Sequence, residues 1–211
     1  MERKTGTDSL KWLTIEYNVV NKCSAEATKV VIPDTVIAIG AEAFNDCTNL
    51  YEVILPNGVT AINNWAFAGC TGLTSINIPD SVIYIEDSAL EGCTGLTSIK
   101  IPNGVTKISY RAFFGCTGLT SIYIPDSVIY IEDSAFEGCT GLTSISIPNN
   151  VLEIGYFAFN GCTRLISINI PDSVFHIGMD AFKDCVNISA TYKGKTYDHA
   201  HIKDLYKAAK G

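Results

Sequence analysis

Eight cysteines, at positions 23, 47, 70, 93, 116, 139, 162 and 185, are the first residues to weigh for chemistry. Thiols can form disulfides, bind metals or act as nucleophiles, and spacing discriminates among these roles. From Cys47 onward every interval is 23 residues. Zinc sites draw on close pairs such as Cys-x-x-Cys, and the chain has none. In a ladder of stacked coils, in-register neighbours would stand about 4.8 Å apart with parallel Cβ vectors, whereas a disulfide wants its Cβ atoms about 3.8 Å apart. The expectation is therefore a row of buried free thiols behaving as small apolar residues. Such thiols suit a reducing or anaerobic setting better than an oxidising one.

The other titratable residues give weaker signals. The three histidines are His176, His199 and His201. Asp198-His-Ala-His201 offers two spaced imidazoles beside one carboxylate, which suits a polar connection between elements better than a metal site. No nucleophile, base and orienting group converge on one predicted neighbourhood, so no catalytic residue is assigned and an enzyme is not expected. Gly194-Lys195-Thr196 resembles the end of a phosphate loop, but position 189 is Ser where the first glycine is needed. The carboxylate groups Glu86-Asp87-Glu91 and Glu132-Asp133-Glu137 have no Gly-rich calcium loop and read as solvated surface. No cofactor and no metal are expected.

The cysteine interval belongs to a wider pattern. All seven prolines (33, 56, 79, 102, 125, 148, 171) recur at the same 23 residues. Three residues after each stands Val, six after it Ile and ten after it Ala. Next comes an aromatic ring, Phe44, Phe67, Phe113, Phe136, Phe159 or Phe182, with Leu90 as the exception. A fixed period in this range marks a solenoid, whose units bury their apolar faces only by stacking on one another. Invariant positions are then those where a side chain packs against its own copy above and below, at interior density. Central and terminal rings should differ in consequence: Phe113 lies between coils, while the edge at Phe182 can relax.

Before each proline runs a segment such as Leu73-Thr-Ser-Ile-Asn-Ile78, whose alternation of apolar and polar residues is that of a strand with one buried face. Proline ends the strand because it has no N–H for a ladder. Asp-Ser or Asn-Gly directly after it reads as a turn. A short second strand or extended arm follows. The Ala-Phe-x-Gly-Cys-Thr-Gly stretch is too short and Gly-rich for a long helix and reads as a tight irregular or 3₁₀ arc. Pro-Asp and Pro-Asn units alternate, and residues 79–99 and 125–145 are nearly identical, so the duplicated unit is 46 residues.

The unit Leu-Thr-Ser-Ile-x-Ile-Pro-x-x-Val-x-x-Ile-x-x-x-Ala-Phe-x-Gly-Cys-Thr resembles the BspA-like, or Treponema pallidum-type, leucine-rich repeat. The resemblance implies a right-handed superhelix with a parallel β-sheet on its concave face. It divides the chain into residues 1–29 as tail and degenerate first coil, 30–189 as seven coils, and 190–211 as a capping hairpin about Lys193-Gly194 with a short helix. That last segment is similar to tails that follow such repeats in some gut Firmicutes proteins. Members of the family are mostly cell-surface or secreted, some linked to adhesion and to host-protein binding, which implies a non-catalytic adhesin-like module with a protein partner.

Charge and hydropathy narrow the partners. The net charge is −7, and residues 30–185 alone hold five Lys/Arg against sixteen Asp/Glu, so the body repels phosphate backbones and nucleic acid is not expected. No stretch is apolar enough to insert in a membrane, and Met1–Asp8 lacks the apolar run of a signal peptide. The protein then stays inside the cell, or a leader has been removed. Within the otherwise fixed repeat one outward strand position varies, reading Ile54, Asn77, Lys100, Tyr123, Ser146 and Asn169. Variation at one exposed site is how a binding solenoid encodes specificity, and the last five of these are the candidate protein-binding residues. A rival candidate is the arm with Tyr84, Tyr110, Tyr130, Tyr156 and Phe157, whose rings could stack on carbohydrate. A spacer without any ligand is the third reading. Nothing in the chain specifies an oligomeric state.

Overall fold

The computed structural model describes residues 9–209; the octapeptide read above for a leader lies outside the described residues. The chain winds into a β-solenoid of about eight turns with coils of about 23 residues. Each coil contributes one strand to each of two parallel stacks. The main sheet is built from Lys29–Val31, Glu52–Ile54, Ser75–Asn77, Ser98–Lys100, Ser121–Tyr123, Ser144–Ser146, Ser167–Ile170 and Ser189–Tyr192, hydrogen-bonded in three blocks. The arm sheet uses two-residue strands, Ala38–Ile39 through His176–Ile177, one per coil. Pairing is in register: Ser121 faces Ser98, Tyr130 faces Lys107 and Glu153 faces Tyr130. Among the described residues no helix is long and apolar enough to cross a membrane.

Local chemistry explains why the chain turns where it does. Proline closes each main strand, and its carbonyl then accepts from the Val three residues on, as from Val82 to Pro79 at 3.0 Å. The invariant Val, Ile, Ala and ring positions are all buried, and so is Leu90. Neighbouring rings stack, with centroids 5.4 Å apart for Phe113–Phe136 and 5.3 Å for Phe136–Phe159. Such stacked aromatic pairs add about 0.5–1.5 kcal/mol beyond the area they bury.

The arcs are chains of β-turns rather than 3₁₀ helix, and their backbone alternates in its hydrogen bonding. Ala66, Ala68 and Cys70 donate to the carbonyl three residues back, while Trp65, Phe67 and Gly69 donate across to Asp87, Ala89 and Glu91 of the next coil. This alternation needs two left-handed residues per coil. Gly69, Gly92, Gly115, Gly138 and Gly161 supply one at φ 68–73°. The other falls on Glu42, Trp65, Ser88, Arg111, Ser134, Phe157 and Asp180, none of them glycine, at φ 53–60°. The inter-coil bonds hold these residues in a region that L-residues otherwise avoid by roughly 1–2 kcal/mol.

All eight cysteines are free and buried, but the thiols do more than fill space. Six of them donate to the carbonyl 26 residues back, from Cys70 to Phe44 at 3.0 Å through Cys185 to Phe159 at 3.0 Å. Burial pushes the Cys70 and Cys116 thiols up to about 12 and raises Cys93 and Cys139 well above the ordinary value. Cys162 is raised as well, by the Cys185 thiol beside it and by burial. At the first coil a thiol–thiol hydrogen bond pushes Cys23 up and Cys47 down.

The 46-residue period has a structural counterpart. Ser81, Ser127 and Ser173 follow Pro-Asp and donate to the Val59, Val105 and Val151 carbonyls at 2.6–2.7 Å. The equivalent positions after Pro-Asn are Gly58, Gly104 and Asn150. A Cβ on Gly104 would meet the Ile83 side chain at 2.7 Å, so this junction has little room for the serine.

At the N-terminal end, Leu13–Glu16 and Val19–Cys23 form an antiparallel hairpin, and the second of these strands starts the arm sheet. The C-terminal end is closed by the hairpin Ser189–Tyr192/Lys195–Asp198 and the helix Ile202–Ala208. Tyr206 reaches back from that helix, and its hydroxyl accepts from Phe182 N–H at 3.0 Å, in the place where Phe159 N–H finds the Ala181 carbonyl. Tyr192, fully buried, donates to the Val174 carbonyl at 2.7 Å. Phe182 is thus as buried as Phe113.

Three outcomes are expected from this architecture. In urea unfolding, Phe113→Ala and Phe182→Ala should each cost about 3–5 kcal/mol. Tyr206→Phe should cost about 1–3 kcal/mol by orphaning the Phe182 N–H, seen as faster amide exchange at Phe182. Glu42→Val should lose about 1–2 kcal/mol because a β-branched residue cannot sit at positive φ, whereas Glu42→Asn should not. The raised thiols of Cys70, Cys93, Cys116, Cys139 and Cys162 set an alkaline limit: held neutral in the fold, they ionise on unfolding once pH passes their ordinary value of 9.0. The unfolded state then binds fewer protons, so stability should fall by about 1.4 kcal/mol per pH unit for each of these five thiols. Cys116→Ala should make that slope shallower by one such increment; an unchanged slope would refute the assignment.

Candidate functional site: two recognition surfaces

The main-sheet face displays two outward columns. One is a serine ladder, Ser75, Ser98, Ser121, Ser144, Ser167 and Ser189, interrupted only at its start by Lys29 and Glu52, which pair at 2.6 Å. The other places Ile54, Asn77, Lys100, Tyr123, Ser146 and Asn169 at equivalent positions and ends in Thr191. All five candidate residues are exposed. A shallow depression runs across 75–77, 98–100 and 121–123, bringing Asn77, Lys100 and Tyr123 onto one patch. Lys100 lies 3.8 Å from Asp80, and both side chains are largely in water, so that pair is weak and leaves the ammonium free for a partner. Tyr123 stands 54% exposed beside it. Ser146 and Asn169 continue the column outside this depression.

The arm face carries the second set. Tyr84, Lys107, Tyr130, Glu153 and His176 open successive arm strands. Three residues further on stand Asp87, Tyr110, Asp133, Tyr156 and Met179. Rings therefore alternate between two columns from coil to coil. Tyr110 and Tyr130 line one pocket of about 270 Å³ together with Glu132, Asp133, Glu153 and Gly155. One turn pair further, Tyr156 meets His176 edge-on at 6.2 Å. Tyr84 stands apart from these pairs, and Phe157 lies in the adjoining left-handed column.

The carboxylates beside these rings were read from the sequence as solvated surface, but most have structural tasks. Glu132 accepts from Tyr110 N–H at 2.9 Å and from Lys107 at 3.1 Å. Burial opposes the charge on Lys107, but the Glu132 bond outweighs it and its pKa is raised. Asp133 accepts from Tyr156 N–H at 2.7 Å, and Gly155 makes room for that carboxylate, since a Cβ there would meet Asp133 Oδ1. Glu91 binds Arg111 at 2.8 Å, and the guanidinium lies over Phe114. Glu137 accepts from Asn160 at 2.9 Å. These bonds span neighbouring coils, and only the recurrence of the acids in alternate units pointed to them.

The histidines make no cluster. Asp198 accepts from the backbone N–H of His201 and pairs with its ring Nδ1 at 2.7 Å, capping the short 3₁₀ turn His199–His201. That contact lowers the Asp198 pKa. Among the described residues no group of three or more His, Cys, Asp or Glu could hold a metal ion.

Comparison with known proteins agrees with this geometry. The model of the BspA-type leucine-rich repeat region matches six copies over residues 13–141 and 106–196. The leucine-rich repeat protein of Treponema pallidum superposes with a TM-score of 0.78 at 24% identity, covering 93% of each chain. A leucine-rich repeat protein of Eubacterium ventriosum superposes with a TM-score of 0.74 at 29% identity, over 79% of this chain and 46% of its own. No curated protein matches the sequence. With its repeats matched over most of its length and its coils stacked in the same manner, the chain belongs to the BspA-type leucine-rich repeat family.

Proposed function

We propose that the chain is a non-catalytic recognition module that holds a protein partner on its main-sheet face, through Asn77, Lys100, Tyr123, Ser146 and Asn169. The observation that carries this reading is the contrast between two adjacent columns: serine repeats unchanged along one while five residues of four types succeed one another along the other. Both columns stand on the same stack of coils, so the difference is chemical rather than geometric. A neutral amide, a cation and a ring in consecutive coils form a patch of mixed character, and a large exposed ring flanked by polar groups is the usual anchor of a protein interface. Membership of the family supports a role in interaction generally. Family members act mostly at the cell surface or in secreted form, and we place this chain there, with host extracellular proteins as the partner class.

The test is a pull-down of host extracellular proteins by the purified chain and by a Lys100→Ala/Tyr123→Ala variant. Both side chains are exposed, so the variant should keep its unfolding midpoint within about 0.5 kcal/mol of the parent. Loss of one hot-spot ring alone removes about 2 kcal/mol of binding, roughly thirtyfold in affinity. A captured protein retained equally by the variant would sink the assignment of this strip. Absence of any specific capture would favour the spacer reading.

A further inference from the structure

The arm face carries a second site, independent of the one proposed above. We propose that it is a glycan track: a neutral β-1,4-linked hexose or N-acetylhexosamine chain lies along the solenoid axis there, seated against aromatic rings that meet across neighbouring coils. The argument begins with the pairing. In the coil of Tyr110 the ring stands late in the arm, in the next coil the ring of Tyr130 stands early, and together they wall one pocket. The same offset brings Tyr156 and His176 to 6.2 Å. The second pair sits 46 residues beyond the first, two coils along the stack. At strand spacing that is about 10 Å.

An extended β-1,4-linked chain has the same two-fold rhythm. Each successive sugar is turned over, so every second ring presents the same face, and the disaccharide repeat matches the two-coil step. A track with one aromatic pair per two coils would meet every second sugar on the same face, in the pocket at Tyr110 and Tyr130 and against the edge-on pair of Tyr156 and His176. The pocket of the first pair, about 270 Å³, is on the scale of one sugar ring. Tyr110 and Tyr130 are 44% and 42% exposed, open enough to receive a ligand.

Polar groups complete the site. Glu132 and Asp133 are held in place by Tyr110 N–H, Lys107 and Tyr156 N–H, so their remaining oxygen lone pairs are fixed in direction. Glu153 also lines the pocket, and its carboxylate has no hydrogen-bond partner among the described residues. Carboxylates accept from sugar hydroxyls, which are abundant donors. Their charge also sets the ligand's sign: three acids about one pocket repel sulfated and uronate chains, leaving neutral ones.

The experiment titrates the full chain by calorimetry with β-1,4-linked N-acetylglucosamine oligomers of two, four and six units and with cellohexaose. At least one hexasaccharide should bind, and affinity should rise about tenfold or more from the dimer to the hexamer as the second ring pair engages. Comparing the two hexasaccharides tells which sugar class is preferred. Tyr110→Ala/Tyr130→Ala, with an unchanged melting profile, should weaken the hexamer about tenfold or more by removing both stacking surfaces. Lys100→Ala/Tyr123→Ala should leave it unchanged. No heat with either hexasaccharide, an affinity independent of length, or an affinity indifferent to the two tyrosines would each overturn the track.

Discussion

Registration of each coil on the next is the constraint from which the rest follows. From Lys29 to Ile170 main strands pair with copies of themselves 23 residues away, and each arc before the last donates alternate N–H groups to the arc that follows. Neither half of that arrangement is stable alone: a three-residue strand has too little ladder, and an arc with two left-handed residues is strained. Stacking resolves both, because the inter-coil bonds that extend the sheet also hold the positive-φ residues in place. The same requirement explains why Val, Ile, Ala and the ring do not vary. A side chain of different shape in one coil would meet unaltered neighbours on both sides. Leu90 is the exception among the rings and leaves the aromatic stack discontinuous between Phe67 and Phe113.

A stack of this kind generates two unsatisfied ends, and the two caps solve different problems. The N-terminal hairpin gives the arm sheet an antiparallel first strand, so its outer edge is no longer a template for another coil. The C-terminal segment must satisfy an arc as well as a sheet. The Ser189–Tyr192 strand completes the sheet, and Tyr206 supplies one acceptor where a further arc would have supplied a carbonyl. Its own hydroxyl is partly desolvated in doing so, and burial holds its pKa up at about 12. The thiol ladder works in the same direction along the interior. From Phe44 to Phe159 the carbonyl of the ring position, which already accepts the N–H of the Cys three residues on, also receives an S–H from the coil after it.

Once core and caps are spoken for, only two faces can differ from coil to coil without disturbing the stack. The main-sheet face keeps one fixed and one variable column. The arm face alternates rings and carboxylates with the 46-residue period, and its acids also tie neighbouring coils together. A substitution on the main-sheet strip changes what the surface offers to a partner. One at Glu132 or Asp133 would change the surface and the support of Tyr110 and Tyr156 at once.

Much of this was legible in the residues. Period, strand positions, the proline stop, the buried ring and thiol rows and the Lys193-Gly194 hairpin all depend on local pattern repeated many times, and repetition makes each reading redundant. That Asn77, Lys100, Tyr123, Ser146 and Asn169 share one exposed column could be read because one varying position stands out against fixed neighbours. Other features depend on which atoms meet across coils, and no local pattern encodes that. The positive φ of Glu42 and Trp65 has no signature, because residue types ordinarily excluded from that region fill it under the pull of the next coil. Tyr206 looks like an ordinary apolar helix position until the helix folds back on Phe182. Glu132 and Asp133 read as solvated acids, yet they bind backbone N–H groups 22 and 23 residues away. The chain by itself determined the coil and its repetition, since both follow from side-chain size, proline and alternation within 23 residues; only the stacked structure decided the caps, the strained arcs and the pairing of rings on the arm, since these come from contacts between coils.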